Sequence, residues 1–243
     1  MRVELRFEIK ELPIGYRLGV LSIIKEMVRN GSDQYYKELF EKGNSQLKPF
    51  GYSTYIHNLS INKNKILGDV LVLTISSSFY EFMMHLMNGS YKKKEYQYKG
   101  FTFFLKSKRL IPEYNIQQRI VTFSTKSPLL LETKEKKPVL STDANFEKEL
   151  QYISTLIIEE LYKRKPYQPI RVLKTAMKKQ VLKESLHHRK EKPIYLTANK
   201  GLITLEGHPK DLQAIYDNGV GFRRSLGLGL LDVEEVTLSE WTK

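Results

Sequence analysis

The chain has 243 residues, with 40 Lys+Arg against 27 Asp+Glu and a formal net charge of +13. Apolar residues make up 41% and aromatics 11%, enough for a packed core, so a disordered chain is excluded. There is no Cys, which excludes disulfides and thiolate zinc sites and makes a reducing cytoplasm the expected location.

Residues 2–10 alternate Val3, Leu5, Phe7 and Ile9 against Arg2, Glu4, Arg6 and Glu8. Strict period two predicts a half-buried strand, not a signal peptide. No apolar run approaches the roughly 20 residues of a membrane helix. After Pro13 and Gly15, Leu18, Leu21, Ile24, Met27 and Val28 recur at helical spacing, and Asn30-Gly31 ends that helix. A short helix is expected over 33–42. Strands are expected over 50–60 and 66–76, the second well buried through Val70–Ile75. Ser77 or Ser78 is the candidate cap of a helix with the stripe Phe79, Phe82, Met83, Leu86 and Met87, ended by Asn88-Gly89. Phe101 to Leu105 reads as a strand.

The order strand, helix, strand, strand, helix, strand then recurs. Residues 119–133 are strand-like, interrupted by Pro128. Asp143 is placed to cap a helix with Phe146, Leu150, Ile153, Ile157 and Leu161 on one face. Two or more strands follow between 169 and 206. Pro209 suits a first helical position, with Leu212, Ile215 and Tyr216 inward. A last strand is expected from about Leu228 to Leu238. Two βαββαβ units predict an α+β chain of two tandem ferredoxin-like, RRM-like domains, 1–114 and 115–243. The repeat is one of element order only.

The positive charge is regional. Residues 91–109 carry seven Lys/Arg against Glu95, and residues 163–192 carry eleven against Glu184 and Glu191. Such blocks point to a surface for a polyanion. Lys92-Lys93-Lys94 with Tyr91, Tyr96 and Tyr98 mixes cations and rings as nucleic-acid surfaces do; a solvated loop is the plainer alternative. The second block includes Lys163, Arg164, Lys165, Arg171, Lys174, Lys178, Lys179, Lys183, Arg189, Lys190 and Lys192.

The sharpest motif is Gly219-Val220-Gly221-Phe222-Arg223-Arg224-Ser225-Leu226-Gly227-Leu228-Gly229. Glycine permits positive φ and close approach of a ligand to peptide N–H groups. Arginine forks and a hydroxyl suit phosphate. It is neither a Rossmann fingerprint nor a Walker loop, because Arg224 takes the third-glycine position and no Gly-Lys-Ser/Thr follows. The plainer alternative is a loop that only turns the chain into its last strand.

This loop, preceded by Leu202-Ile203-Thr204-Leu205-Glu206-Gly207-His208-Pro209 and Tyr216-Asp217-Asn218, resembles the C-terminus of CRISPR repeat-RNA processing endoribonucleases of the repeat-associated mysterious protein superfamily. Thr122-Phe123-Ser124-Thr125-Lys126-Ser127-Pro128-Leu129 and Lys48-Pro49-Phe50-Gly51-Tyr52-Ser53 resemble two further stretches of that superfamily. The resemblance implies two ferredoxin-like domains with repeat RNA along the cleft and basic surfaces between them. It implies cleavage without metal or other cofactor. The ribose 2′-OH attacks the adjacent phosphate, leaving 2′,3′-cyclic phosphate and 5′-OH ends. That chemistry needs a base, an acid and cations around the phosphorane.

Many members place a catalytic His on the second helix of domain one. Here Phe40 falls at that place, and Lys48 matches the usual downstream Lys. Lys48, Lys25, Tyr36 and His57 are therefore the candidates for catalysis. Tyr35 and Tyr36 have buried helix tyrosines as their alternative, Lys25 a solvated lysine, and His57 a surface strand residue. His85 reads as a flank residue and His208 as a helix start. His187 and His188 lie in the second basic block. No spacing suits a metal site. Gly219, Gly221, Arg223, Arg224, Ser225, Gly227 and Gly229, with Lys174, Lys178, Lys179, Lys183 and Arg189, are the candidates for RNA binding. Binding should weaken steeply with salt. Expected partners are single-stranded or hairpin repeat RNA and subunits of the CRISPR interference complex, with no membrane and a monomer or homodimer. Two other readings stay open: a member that binds repeat RNA without cutting it, and an unrelated basic RNA-binding module such as a ribosomal one.

Overall fold

In a computed structural model, residues 1–42, 46–63, 65–184 and 193–234 are described. The first unit contains β1 (Arg2–Glu8), β2 (Glu11–Pro13), α1 (Arg17–Gly31), α2 (Asp33–Tyr36), β3 (Gly51–His57), β4 (Ser60–Asn62), β5 (Lys65–Leu67), β6 (Val70–Ser76), α3 (Tyr80–Lys92), β7 (Glu95–Tyr98) and β8 (Phe101–Leu110). A π-helical turn, Lys37–Lys42, continues α2. The second unit contains β9 (Ile120–Thr125), α4 (Phe146–Tyr162), β10 (Arg171–Glu184), β11 (Ile194–Glu206), α5 (Pro209–Asn218) and β12 (Leu231–Val233), with a 3₁₀ turn over Arg224–Leu226.

The sheet orders are β3-β6-β1-β8-β7 and β10-β11-β9-β12. Paired neighbours are antiparallel throughout. Numbering the four principal strands of each unit gives the order 2-3-1-4 twice, which is the ferredoxin-like arrangement. The tandem fold expected from the sequence is therefore present. A small sheet, β2-β5-β4, and the extra edge strand β7 are additions to the first unit.

The first unit buries one sheet face under α1 and α3, the second under α4 and α5. Leu5, Phe7, Ile23, Met27, Phe82, Leu86 and Phe103 belong to the first core. Phe123, Leu150, Ile157, Ile203, Leu205 and Ile215 belong to the second. The period-two and helical patterns set these faces directly.

Several local expectations are corrected. Gly89 does not end its helix: α3 runs on to Lys92, and Gly89 lies where α3 crosses α1. A Cβ there would overlap the carbonyl oxygen of Met27. Gly89→Ala should therefore force the helices apart and cost about 2–3 kcal/mol, seen as a lower urea midpoint. Asp143 does not cap α4; its carboxylate accepts from the backbone N–H of Leu140 at 2.7 Å. Ser77 receives the N–H of Phe79 at 3.0 Å, just before α3, whereas Ser78 turns to Asn218 and Tyr162. His208 does cap α5, its Nδ1 accepting from Lys210 N–H at 3.2 Å. The last strand spans Leu231–Val233, and its expected continuation beyond Glu234 lies outside the described residues.

The two units meet along a polar seam. Arg2, expected on the polar side of β1, is 2% exposed. Its guanidinium donates to the carbonyls of Tyr216 (3.0 Å) and Leu231 (2.9 Å), to Ser76 Oγ (3.3 Å) and to Asp232 (3.0 Å). It also lies 4.1 Å from the Tyr216 ring centroid. Ser76 Oγ donates to Asp217 O at 2.6 Å, and Asn218 joins Ser78 Oγ and Tyr162 OH. The Tyr216-Asp217-Asn218 motif thus locks one unit to the other.

Candidate RNA-binding and cleavage site

Two concavities flank the seam. The larger, about 1270 Å³, lies between the helix-free faces of the two sheets. Arg6, Tyr55, His57, Lys126, Lys183 and Lys200 are among its lining. Part of its charge is compensated, since Arg6 pairs with Glu4 and Lys126 with Asp232. The Lys200 ammonium donates to the carbonyls of Thr125 and Lys126. Arg17, at the start of α1, pairs with Glu184 at the end of β10 at 2.7 Å. Burial raises the Glu184 carboxyl above its ordinary range against the pull of Arg17.

The smaller pocket, about 340 Å³, forms where the glycine loop meets α1, the π-helical turn and α4. Lys25, Phe40, Lys48, Arg223 and Ser225 line it. Phe40 is buried, and two ammonium groups approach its ring: Lys25 at 5.1 Å and Lys48 at 5.8 Å from the centroid. Lys48 Nζ also donates to Leu39 O at 2.8 Å. Burial lowers the pKa of both lysines; Arg29 lowers Lys25 further, and Lys25 lowers Lys48 further. Tyr36 stacks obliquely on Phe40 at 5.4 Å and carries the Arg29 guanidinium at 3.9 Å.

The sequence candidates are thus partly assembled. Lys25, Lys48 and Tyr36 gather around Phe40. His57 does not join them: it is exposed, at the end of β3, with its ring 4.9 Å from that of Tyr55 in the large cleft. The strand carries it away from the π-helical turn.

Gly219, Gly221, Gly227 and Gly229 all have positive φ. At Gly229 (φ +71°) a Cβ would overlap Val220 O, because the loop closes on itself through Val220 N–H to Gly229 O at 2.8 Å. Gly227 lies against the ring of Tyr52 from the other unit. Gly219 and Gly229 pack backbone on backbone, as the turn-forming reading of the loop expects. Arg224 is held largely inside the protein. It is 4% exposed, and it donates to Asn218 O at 2.7 Å and to Lys48 O at 3.1 Å. Burial pushes its guanidinium down to about 10. It braces the loop against the backbone of Lys48 and also borders the small pocket. Arg223, in a left-handed conformation, and Ser225 face the pocket. Arg223 lies 3.8 Å from Glu132.

The two basic blocks differ. In the first, Lys93 pairs with Glu26, Lys106 with Glu8 and Arg109 with Glu4. Tyr96 and Tyr98 are buried in the core. Much of that block is therefore internally compensated, and two of its tyrosines are not surface rings. In the second, Lys174, Lys178 and Lys179 are exposed on the edge strand β10, and Lys183 lines the cleft. Lys178 and Lys179 have no carboxylate partner among the described residues. Arg189, His187 and His188 lie outside the described residues. Sequence reading missed Arg17–Glu184 and Phe222, which also borders the small pocket; Arg17 sits at a helix start with no pattern to mark it. No cluster of three or more His, Cys, Asp or Glu suited to a metal occurs among the described residues. No helix there is long and apolar enough to cross a membrane.

Comparison with known proteins agrees with this architecture. The structure of a Cas6-related gene product from Pyrococcus furiosus aligns at 21% identity over 98% of this chain and 99% of that one, with a TM-score of 0.79. An RAMP protein binding different RNA substrates aligns at 20% identity over 97% and 100%, with a TM-score of 0.77. A CRISPR associated protein Cas6 gives 20%, 97% and 99%, with a TM-score of 0.73. No curated protein matches significantly by sequence. The fold thus defines a tandem ferredoxin-like protein. The profile of CRISPR associated protein Cas6, C-terminal, matches residues 111–233, and the chain belongs to that Cas6 family of CRISPR repeat-RNA processing proteins.

Proposed function

We propose that this chain binds CRISPR repeat RNA and cuts it without metal, in the small pocket around Phe40. The observation that carries this is the convergence of Lys25 and Lys48 on the same pocket as Arg223 and Ser225. In the reaction the 2′-oxygen bonds to phosphorus while the bond to the 5′-oxygen breaks. The 2′-OH gives up its proton and the 5′-oxygen takes one. Lys48 and Lys25 hold cationic charge where the phosphorane becomes more anionic. Their lowered pKa values ease proton transfer compared with an ordinary lysine. Arg223 and Ser225 hold the flanking phosphate, and Arg224 fixes the loop that presents them. The large cleft and the edge of β10, with Lys174, Lys178, Lys179 and Lys183, carry the rest of the RNA. The chain divides into two domains near residues 114 and 115.

Phe40 favours a second reading, in which the chain retains repeat RNA without cutting it. One assay separates them. Repeat RNA is incubated with excess protein in EDTA, and the product ends are analysed. Fragments with 2′,3′-cyclic phosphate and 5′-OH support cleavage. Intact RNA that is nonetheless bound supports retention alone.

In a binding titration with the same RNA, Lys178→Gln with Lys179→Gln should flatten the slope of log K against log salt. The expected change is about 0.7 for each phosphate of a single strand that is no longer neutralised. An unchanged slope would place the RNA elsewhere.

A further inference from the structure

Helix α4 separates two depressions. Ile153 and Leu156 on one side border the loop pocket. Gln151, Tyr152 and Thr155 on the other side border a second, open pocket of about 630 Å³, flanked by the segment 165–169. An α-helix is about 10 Å across, so a strand leaving the loop pocket around α4 enters this second pocket within a few nucleotides.

The second pocket has the chemistry of a nucleotide subsite. Tyr152 is 51% exposed and presents an open ring. Tyr167 forms a wall that is held in place: the Arg164 guanidinium lies 4.4 Å from its ring centroid, and the His208 ring lies 4.4 Å away. The segment that carries Tyr167 is pinned on Asp211, which is fully buried. Asp211 accepts from Arg164 at 2.6 Å and from Tyr167 N–H at 2.8 Å. Lys148 and Lys165 line the pocket and have no carboxylate partner among the described residues. Gln151 and Gln168 add amides that both donate and accept, and Glu159 adds an acceptor for base amino groups. Rings for stacking, cations for phosphate and amides for base edges in one pre-built pocket match unpaired RNA.

We infer that the pocket between α4 and the 165–169 segment binds an unpaired nucleotide of the RNA, with its base on Tyr152 and its phosphates at Lys148 and Lys165. This rests on the RNA-binding reading above and adds a subsite outside both the cleft and the loop pocket.

The test uses the full chain and two labelled probes, repeat RNA and a twelve-residue oligoadenylate, at 0.15 M salt. Tyr152→Ala should weaken binding of both about tenfold, and Tyr152→Phe should restore it, since stacking needs the ring and not the hydroxyl. Lys148→Gln with Lys165→Gln should lower the salt slope by about 0.7 per lysine. Circular dichroism melts confirm that the variants fold. If Tyr152→Ala binds both probes like the parent chain, the subsite is wrong. If the parent chain ignores repeat RNA yet binds oligoadenylate through Tyr152, the subsite stands and the repeat-processing proposal falls.

Discussion

Replacing Arg2 with methionine should destabilise the chain by about 3 kcal/mol, by the cost of breaking a buried charged network. Methionine keeps only the stem of the side chain, so the packing of the guanidinium over the Tyr216 ring is lost as well. What is lost is a set of charge-assisted hydrogen bonds, each worth more than a neutral one. The carbonyls of Tyr216 and Leu231 lose a donor in a buried seam, and leaving such groups unpaired costs about 1–3 kcal/mol each. The bond to Asp232 contributes less, because that carboxylate is partly open to solvent. For a chain of this size the melting temperature should fall by roughly 6–12 °C. Differential scanning calorimetry checks it. A fall of only a degree or two would mean that the units are held chiefly by apolar packing. Because Arg2 reaches β12 and α5 from β1, the loss also loosens the frame of both concavities. RNA affinity should fall with stability, whereas Gly89→Ala, inside the first unit, should spare it.

Arg2 also shows where sequence reading stops. Period two in β1 correctly puts Val3, Leu5 and Phe7 inward. It then assigns the alternate face to solvent. In a single domain that follows, but here the other face looks at a second sheet, and nothing in the pattern of one strand announces a neighbour 230 residues away. The burial of Arg224 is illegible for the same reason: its basic neighbours and flanking glycines mark a ligand loop, while its burial is decided by the backbone of Asn218 and Lys48. Element order was legible because apolar periodicity and Gly/Pro punctuation are local. The additions to the fold carry no such mark. Glu95, Tyr96, Gln97 and Tyr98 alternate cleanly as β7, but they follow three lysines and read as part of a basic surface. At Gly89 the residue pair that commonly ends helices serves instead to let two helices approach. Of the candidate site, the residues sharing one stretch of helix or loop were found together. His57 lies close to Phe40 and Lys48 along the chain, but strand β3 takes it into a different cavity.

Lys48→Ala should lower the single-turnover rate of repeat cleavage by about 10²–10³-fold while changing RNA affinity less than about fivefold. The magnitude is that of removing one preorganised charge from the reacting phosphate. Affinity should be spared because, in the proposed binding mode, the exposed cations of β10 and the cleft hold most of the phosphates. The main chain of Lys48, which receives Arg224, is unchanged in the variant, so the loop should hold its shape. The pH dependence adds an independent check. If the ammonium form is the active one, the rate falls as pH rises through the lysine pKa, and burial has already lowered that value. The alkaline fall should therefore begin below the ordinary lysine range. Lys25 pushes Lys48 down, so removing Lys25 lets the Lys48 pKa rise. In Lys25→Met the residual rate should keep its alkaline limb, displaced to higher pH. In the proposed reaction the pair acts on one phosphorane, so the double variant should lose less than the product of the two single losses. A Lys48→Ala protein that cuts at the parental rate would remove Lys48 from the reaction. A limb that stays fixed in Lys25→Met would mean that the two ammonium groups are not coupled across Phe40.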